Sequence, residues 1–238
     1  MLEKTKAKLL DETVDTRQRI VVSAPKFRYA TIGITGTAPY VGNKMAARDM
    51  KAMRANQEAG QQAKSKKKRE PKDFSKLHLE KIHYSQEGWA GIPCSAFRNA
   101  MIRACALVGY KMTNAKMSVF IEPDGFDRDD GQPLVRLYSP HEPRSLEMIG
   151  RLSNGSTDIL VRPQWMQWSC KIKVKWDEDQ FSAQDVSNLL MRAGEQVGVG
   201  AGRPFSAETA GLGFGTFKIS DDGFDGNRKG GKRKQKTN

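Results

Sequence analysis

The clearest pattern in the chain is the strict alternation of apolar and basic residues from 170 to 176. Successive side chains of a β-strand point to opposite faces of its sheet. The alternation therefore predicts a half-buried strand with an apolar inner face and a basic outer face. Lys171 and Lys173 on the outer face are candidate contacts for an anionic ligand.

Two segments, 96–107 and 182–193, have apolar residues at the three- and four-residue spacing of a helix face. Asp185 stands at the third position of the second segment, as in a capping box. Serine is expected to cap both helices and glycine to end them: Ser95 and Gly109 for the first, Ser182 and Gly194 for the second.

β-Branched and aromatic residues predict further strands, at 28–37, 116–121, 134–138, 158–161 and 215–220. Placed among the two helices, they give a β-α-β-β-α-β order. This order predicts an α+β fold of the ferredoxin-like or RRM type, an antiparallel sheet with both helices on one face. Many enzymes share such a fold, so the fold alone decides no function.

The 238 residues carry a formal charge of +13, which is concentrated in two segments. Residues 44–72 contain ten Lys/Arg and three Asp/Glu, and residues 227–238 contain six Lys/Arg and no acid. The remaining 24 basic and 24 acidic residues balance. This distribution predicts a single domain, 1–226, with a flexible basic insertion at 44–84, and a disordered basic tail at 227–238.

Basic segments of this kind attract polyanions by neutralising phosphates and releasing counterions. Solubility alone is an alternative reason for them, and acidic lipid is disfavoured because neither segment has an apolar face beside its charges. Nucleic acid is therefore the expected partner. The candidate contacts in and beside the insertion are Asn43, Lys44, Lys64, Lys66, Lys67, Lys68 and Arg69.

Other sequence features exclude several classes of protein. No apolar stretch approaches the roughly 18 residues of a membrane span, and residues 1–18 have no apolar core of a secretory signal. The three cysteines lack zinc-site spacing. We expect a protein of the cytoplasm, in a bacterial cell or a phage-infected host, with no membrane partner, cofactor or metal.

Two motifs suggest how phosphates are held. In Ile92–Arg103 a proline leads into a helix whose first N–H groups can bind an anion, and Ser95, Arg98 and Arg103 belong to this motif. Arg98 and Arg103 fall on different faces of the helix. In the second motif, a glycine-rich run, backbone can approach a ligand closely and Phe214 can stack on a base; its candidates are Arg203, Gly211, Gly213, Phe214 and Gly215.

Together with the strand that ends at Thr37-Ala-Pro39-Tyr40, these motifs resemble the RAMP superfamily, the repeat-associated proteins of CRISPR effector complexes. The Ile92–Arg103 segment matches the family layout except that Cys94 replaces a glycine and Ala96 a serine. The glycine run 211–215 matches the loop before the last strand. The resemblance covers about 29–219 and rests on few residues.

The resemblance implies a modified RNA-recognition fold that binds single-stranded RNA or a guide strand, often as a filament of subunits. The sequence is also similar to small phage-encoded proteins, which fits DNA replication or recombination. We therefore expect a non-catalytic protein that binds single-stranded RNA or DNA and forms homo-oligomers along it. RNA and DNA are not distinguished, because no reader of the 2′-hydroxyl is identifiable.

Two alternative functions remain. Some RAMP relatives cleave RNA, and His83 and Tyr84 near Lys81 are candidates for general acid–base chemistry. A structural protein whose basic segments dock on an acidic protein partner is the other alternative. The acidic stretch 124–131 lacks the spacing of a calcium-binding loop and is predicted to be an acidic turn.

Overall fold

The computed structural model describes residues 23–58, 60, 74, 76–151, 157–206 and 211–220. Within these ranges the chain forms eleven β-strands and four α-helices. The strand pairs are antiparallel. The α+β class predicted from the element order is therefore confirmed.

The larger sheet has eight strands, with β1 (Phe27–Gly36) and β10 (Ser169–Asp177) at its centre. β1 pairs with β10 on one side and with β11 (Phe217–Ile219) on the other. Along its far edge β10 pairs with β7 (Pro133–Tyr138) and then with β5 (Val119–Glu122). Three short strands join the sheet beside β7: β3 (His83–Tyr84), β4 (Ala90–Pro93) and β6 (Gly125–Phe126).

A second sheet has the strand order β2 (Tyr40–Val41), β9 (Thr157–Trp165) and β8 (Arg144–Arg151). The sequence predicts only 158–161 of this sheet. β8 has no counterpart among the predicted strands because its apolar residues mark no buried face. Ile149, for example, is 83% exposed.

The helices are α1 (Ala47–Glu58), α2 (Cys94–Leu107), α3 (Met112–Ser118) and α4 (Ala183–Arg192). Buried residues of α2, α4 and β10 form one core. The alternation in β10 is as predicted, because its apolar residues are buried in this core while the lysines between them are not. In the part of the chain that the structure describes, no helix has the length and apolar character needed to cross a membrane.

α4 begins with the predicted capping box. The Ser182 hydroxyl accepts the N–H of Asp185 at 3.1 Å, and the Asp185 carboxylate accepts the N–H of Ser182 at 3.0 Å. The predicted end at Gly194 is wrong, because the chain continues as a π-helical turn over Ala193–Val197. A Cβ on Gly194 would lie 2.1 Å from the Phe217 carbonyl oxygen, so this glycine permits close packing on β11.

Two other predicted boundaries are wrong. Ser95 does not cap α2, because β4 stays paired with β7 up to Pro93 and the helix begins directly at Cys94. The strand expected from Lys116 begins at Val119, because residues 112–118 form α3. In both places contacts with the rest of the fold override the local sequence preference.

The three cysteines are buried and form no disulfide. Burial raises the pKa of the Cys94 thiol to about 12. It also raises the pKa of Cys105 and of Cys170 above the ordinary value. All three side chains are therefore neutral thiols at physiological pH.

Candidate nucleic-acid interface

A cavity of about 360 Å³ lies between α2, from its first turn to Arg103, and the loop after the π-helical turn. Ser95, Asn99 and Arg103 of α2 line one side, and residues 198–200 with Arg203 line the other. The sequence motifs at 92–103 and at the start of the glycine-rich run therefore meet here.

A second cavity of about 380 Å³ adjoins the first. The two cavities share Ser95, Ala96, Gly200 and Arg203 in their linings, so they lie side by side, and we call the two together the groove. The far end of the second cavity is reached by residues from three other segments: Asn43, Lys44, His83 and Asp130.

The groove is basic in its first cavity. Arg103, Lys116 and Arg203 line it, and no acidic residue does so among the described residues. The Arg203 guanidinium donates to the Gly200 carbonyl at 3.1 Å, which fixes it against the loop. The Arg103 guanidinium lies 5.3 Å from the ring centre of Phe205. Both cations are thus positioned by contacts with a carbonyl or a ring.

The first turn of α2 faces both cavities through Ser95 and Ala96. No side chain caps this helix end. Free N–H groups and the helix dipole favour an anion at such an end. Ser95 does not cap α2 as the sequence predicted. The first N–H groups of the helix therefore have no side-chain partner and can interact with an anion in the groove.

The predicted glycine run 211–215 is hydrogen-bonded to the loop that lines the groove. The Leu212 N–H donates to the Gly202 carbonyl at 2.8 Å, and the Val199 N–H donates to the Gly215 carbonyl at 2.9 Å. A Cβ on Gly215 would lie 1.7 Å from the Val199 carbonyl oxygen. Phe214 is half-buried and packs against Gly202.

Arg98 lies away from the groove. Its Nε donates to the Val119 carbonyl at 2.9 Å, its other end donates to the Lys116 carbonyl, and its guanidinium lies 4.9 Å from the ring centre of Phe120. Arg98 therefore joins α2 to the α3–β5 junction. The expectation that Arg98 and Arg103 occupy different helix faces is confirmed.

Lys171 and Lys173 also lie elsewhere, on the side of β10 opposite the core. The Lys173 ammonium contacts the Asp124 carboxylate at 2.9 Å, and this contact raises its pKa. The predicted basic residues are thus divided between the groove and the outer face of the large sheet.

Lys44 is buried in an ion-pair cluster. Its Nζ lies 2.9 Å from Asp127 Oδ1 and 2.6 Å from Asp129 Oδ2. His83 Nδ1 lies 2.8 Å from the other Asp127 oxygen. Lys44 therefore anchors the start of the insertion to the β6–β7 connection, and its ammonium is already paired. Asn43 beside it accepts a hydrogen bond from Arg162.

The cluster contains a group of possible metal ligands. His83, Asp127 and Asp130 each offer one ligand atom within 4.8 Å of the others. The Lys44 ammonium contacts both oxygens of Asp127, so it already supplies the positive charge that a cation would bring. In the predicted acidic turn, 124–131, Asp127 and Asp129 thus neutralise the charge of the buried Lys44. The segment is not a turn throughout, because it contains the short strand β6.

Several predicted contacts, Lys64, Lys66, Lys67, Lys68 and Arg69, lie outside the described residues, as does the tail 227–238. Asn99, Lys116 and Phe205 also line the groove, and none of them was predicted from the sequence. Asn99 was detectable, because it lies one helical turn from Ser95 and Arg103. Lys116 was not, because it enters the groove only through α3, which the sequence did not predict.

No protein-family model matches this sequence, and no curated protein proves similar to it. The function must therefore be inferred from the groove itself, from its charge, its shape and the backbone groups at its edge.

Proposed function

We propose that the protein binds single-stranded nucleic acid in the groove without cleaving it, and that copies assemble along the strand. One observation carries the proposal: the first cavity of the groove is lined by three basic residues, by no acidic one among the described residues, and by the uncapped first turn of α2. A groove with this charge suits a phosphate backbone. RNA and DNA are both candidate strands.

The proposal includes a ferredoxin-like, RRM-type fold. The order of strands across the large sheet, β11–β1–β10–β5, supports it. Along the chain, α2 lies between β1 and β5, and α4 lies between β10 and β11. Side chains of both helices share one core with β10. This is the arrangement expected of a split β-α-β fold.

A RAMP-like identity is part of the same proposal. The segment Ile92–Arg103 lines the groove, and the glycine run 211–215 is hydrogen-bonded to the loop that forms its opposite wall, although the two motifs are more than 100 residues apart in the chain. This convergence supports a shared function for the two motifs. The setting is either a CRISPR effector complex or phage DNA replication or recombination, both in the cytoplasm.

Binding is tested by fluorescence anisotropy with single-stranded RNA, single-stranded DNA and duplex DNA across about 50–200 mM salt. Affinity for a single strand should fall steeply with salt, because released counterions drive binding. Negative-stain images of the same mixtures report filaments. Equal affinity at both ends of the salt range contradicts the proposal.

Arg103→Gln locates the site. Removing one phosphate contact should weaken binding and reduce the slope of log affinity against log salt by roughly 0.7 for a single strand. Arg192→Gln is the matched control, since Arg192 is an exposed helical arginine that does not line the groove. Equal slopes for the two variants would exclude the groove as the site.

RNA cleavage is a second candidate function, favoured by the contact between His83 and Asp127. A carboxylate on Nδ1 orients an imidazole for proton transfer at Nε2, and His83 lines the second cavity. Incubation of RNA with the wild-type protein and with His83→Ala tests this function. RNA that stays intact with the wild-type protein rules it out.

A further inference from the structure

The large sheet has a second surface, on the side away from α2 and α4. Opposed residues of an antiparallel pair lie on the same face, and the β1–β10 register pairs Tyr29 with Lys175 and Thr31 with Lys173. The residues between them belong to the core. We call this outer surface of β1, β10, β5 and β11 the open face.

Three aromatic rings lie together at one end of the open face. Tyr29 is 59% exposed. Phe27 lies two residues before it on the same strand, and its ring centre is 6.0 Å from that of Phe120, in an edge-on arrangement. Phe27 and Phe120 are half-buried, so they support the site while Tyr29 presents its ring to solvent.

A lysine ammonium stands between these rings. Lys175 Nζ lies 4.4 Å from the ring centre of Phe27 and 5.7 Å from that of Tyr29. Lys175 forms no ion pair with any residue that the structure describes. An ammonium held over aromatic rings keeps its charge and can bind a phosphate. If a base stacks on Tyr29, the phosphate of the same nucleotide can contact Lys175.

The open face has room and charge for a strand. Beyond Tyr29, β1 presents only Thr31, Gly33 and Thr35, so no bulky side chain interrupts the surface. Across the face and its extension onto β7, five basic side chains stand against three acidic ones. These are Lys171, Lys173, Lys175, Lys218 and Arg136 against Glu122, Asp124 and Asp177.

We propose that the open face is a second nucleic-acid site, on which Tyr29 stacks an unpaired base and Lys175 contacts its phosphate. The inference rests on the proposed function, since the same single strand is the ligand. It differs in chemistry from the groove, because the groove offers charge and backbone amides whereas the open face offers an exposed ring. Ring stacking accepts any base and requires that the base be unpaired.

The test compares two strands of equal length, oligothymidylate and an abasic deoxyribose-phosphate strand, by fluorescence anisotropy with the full chain. Tyr29→Ala should weaken oligothymidylate binding by roughly 5- to 150-fold, the range measured for losing one stacked base. It should leave binding of the abasic strand unchanged. Tyr29→Phe keeps the ring and should retain most of the affinity.

Phe126→Ala is the matched control. Phe126 is a 49% exposed aromatic residue whose pairing with Pro133 places it on the opposite face of the sheet. Its loss should not change binding of either strand. Circular dichroism of each variant checks that the fold is retained.

The remaining outcomes separate the two proposals. If Tyr29→Ala binds oligothymidylate as the wild-type protein does while Arg103→Gln binds it more weakly, the open-face site is refuted and the groove stands. Equal weakening for both strands also refutes stacking. If the wild-type protein binds neither strand, the proposed function itself fails.

Discussion

Asp127 connects three segments of the chain at a single carboxylate. It is 1% exposed and accepts hydrogen bonds from Lys44 and His83, while its Oδ1 also accepts the N–H of Asp129. A buried charge is tolerated only with partners of this kind. The cluster therefore sets how the insertion is fixed to the domain.

Lys44→Met is expected to lower the free energy of unfolding by about 3–5 kcal/mol, because it leaves the Asp127 charge buried without its cation. Urea denaturation measures the change. Lys51→Met, at an exposed lysine of α1, is the control and should change stability by less than about 0.5 kcal/mol. Equal losses for both variants would contradict the role given to Lys44.

The pH dependence of the free energy of unfolding should show the contribution of the ionised Asp127 carboxylate. Burial is the largest single influence and raises its pKa, but hydrogen bonds from Asp129, Lys44 and His83 outweigh it and hold the pKa below the ordinary value. The ionised carboxylate therefore contributes stability that is fully present above the unfolded pKa of about 3.9 and is lost as the pH falls through the lower folded value.

Urea denaturation of the wild-type protein and of Asp127→Asn, from about pH 7 to about pH 3, measures this contribution. The difference in unfolding free energy should shrink below about pH 4, where the Asp127 carboxyl of the unfolded chain gains a proton before that of the folded protein does. Glu147→Gln, at an exposed carboxylate, serves as the reference. A difference that is independent of pH would show that Asp127 is not the titrating group.

The sequence could not predict the role of Lys44. It belongs to a run of basic residues, and that composition favours an exposed, ligand-binding lysine. Its partner Asp127 is 83 residues away in the chain. Local pattern carries no information on such a pair, whereas the burial of β10 and the cap of α4 are local and were predicted correctly.

At the level of elements, two glycines with similar backbone angles have different roles in one loop. Gly213 has a φ of 76° and Gly215 a φ of 69°, a region that side chains rarely adopt. Nothing lies within 4 Å of a Cβ on Gly213, whereas a Cβ on Gly215 would meet the Val199 carbonyl. The first glycine permits a turn, and the second permits a turn and a close approach of two backbones.

Alanine at these two positions separates the effects. Gly213→Ala should cost about 1–2 kcal/mol through its backbone angle alone. Gly215→Ala should cost more and should also weaken nucleic-acid binding, because it must push residue 199 and the groove wall outwards. Urea denaturation and anisotropy measure the two effects, and equal behaviour of the variants would contradict the supporting role of Gly215.

Element prediction succeeded where one face of an element is buried. β10 and α4 have that property, and their patterns are regular. It failed for β8, whose apolar residues mark no buried face. It also failed for α3, whose last turn is held by Arg98 on its Lys116 carbonyl, a hydrogen bond between residues 18 positions apart.

At the level of the whole molecule, the excess of positive charge is concentrated in two segments of the sequence, 44–72 and 227–238. Removing residues 227–238 takes away six basic residues and no acidic one. If the tail binds phosphates, its deletion should weaken binding to a single strand. The slope of log affinity against log salt should become shallower by roughly 0.7 for each phosphate that the tail neutralises.

Anisotropy with the full chain and with the deleted chain measures this change. A variant in which six tail residues, Arg228, Lys229, Lys232, Arg233, Lys234 and Lys236, are replaced by Gln keeps the length and controls for it. Unchanged binding in both would favour the alternative in which the basic segments dock on an acidic protein. The sequence shows where the basic residues are, but it does not show whether they bind nucleic acid or an acidic protein.

The buried thiols of Cys94, Cys105 and Cys170 can report the opening of the core through their rate of alkylation. An alkylating reagent attacks only the thiolate, and a buried neutral thiol must first reach solvent. In the native protein the labelling rate should therefore report how often the core opens. A bound strand that clamps α2 against the neighbouring loop should slow the alkylation of Cys94 and Cys105, which lie on that helix, more than that of Cys170 in the central strand.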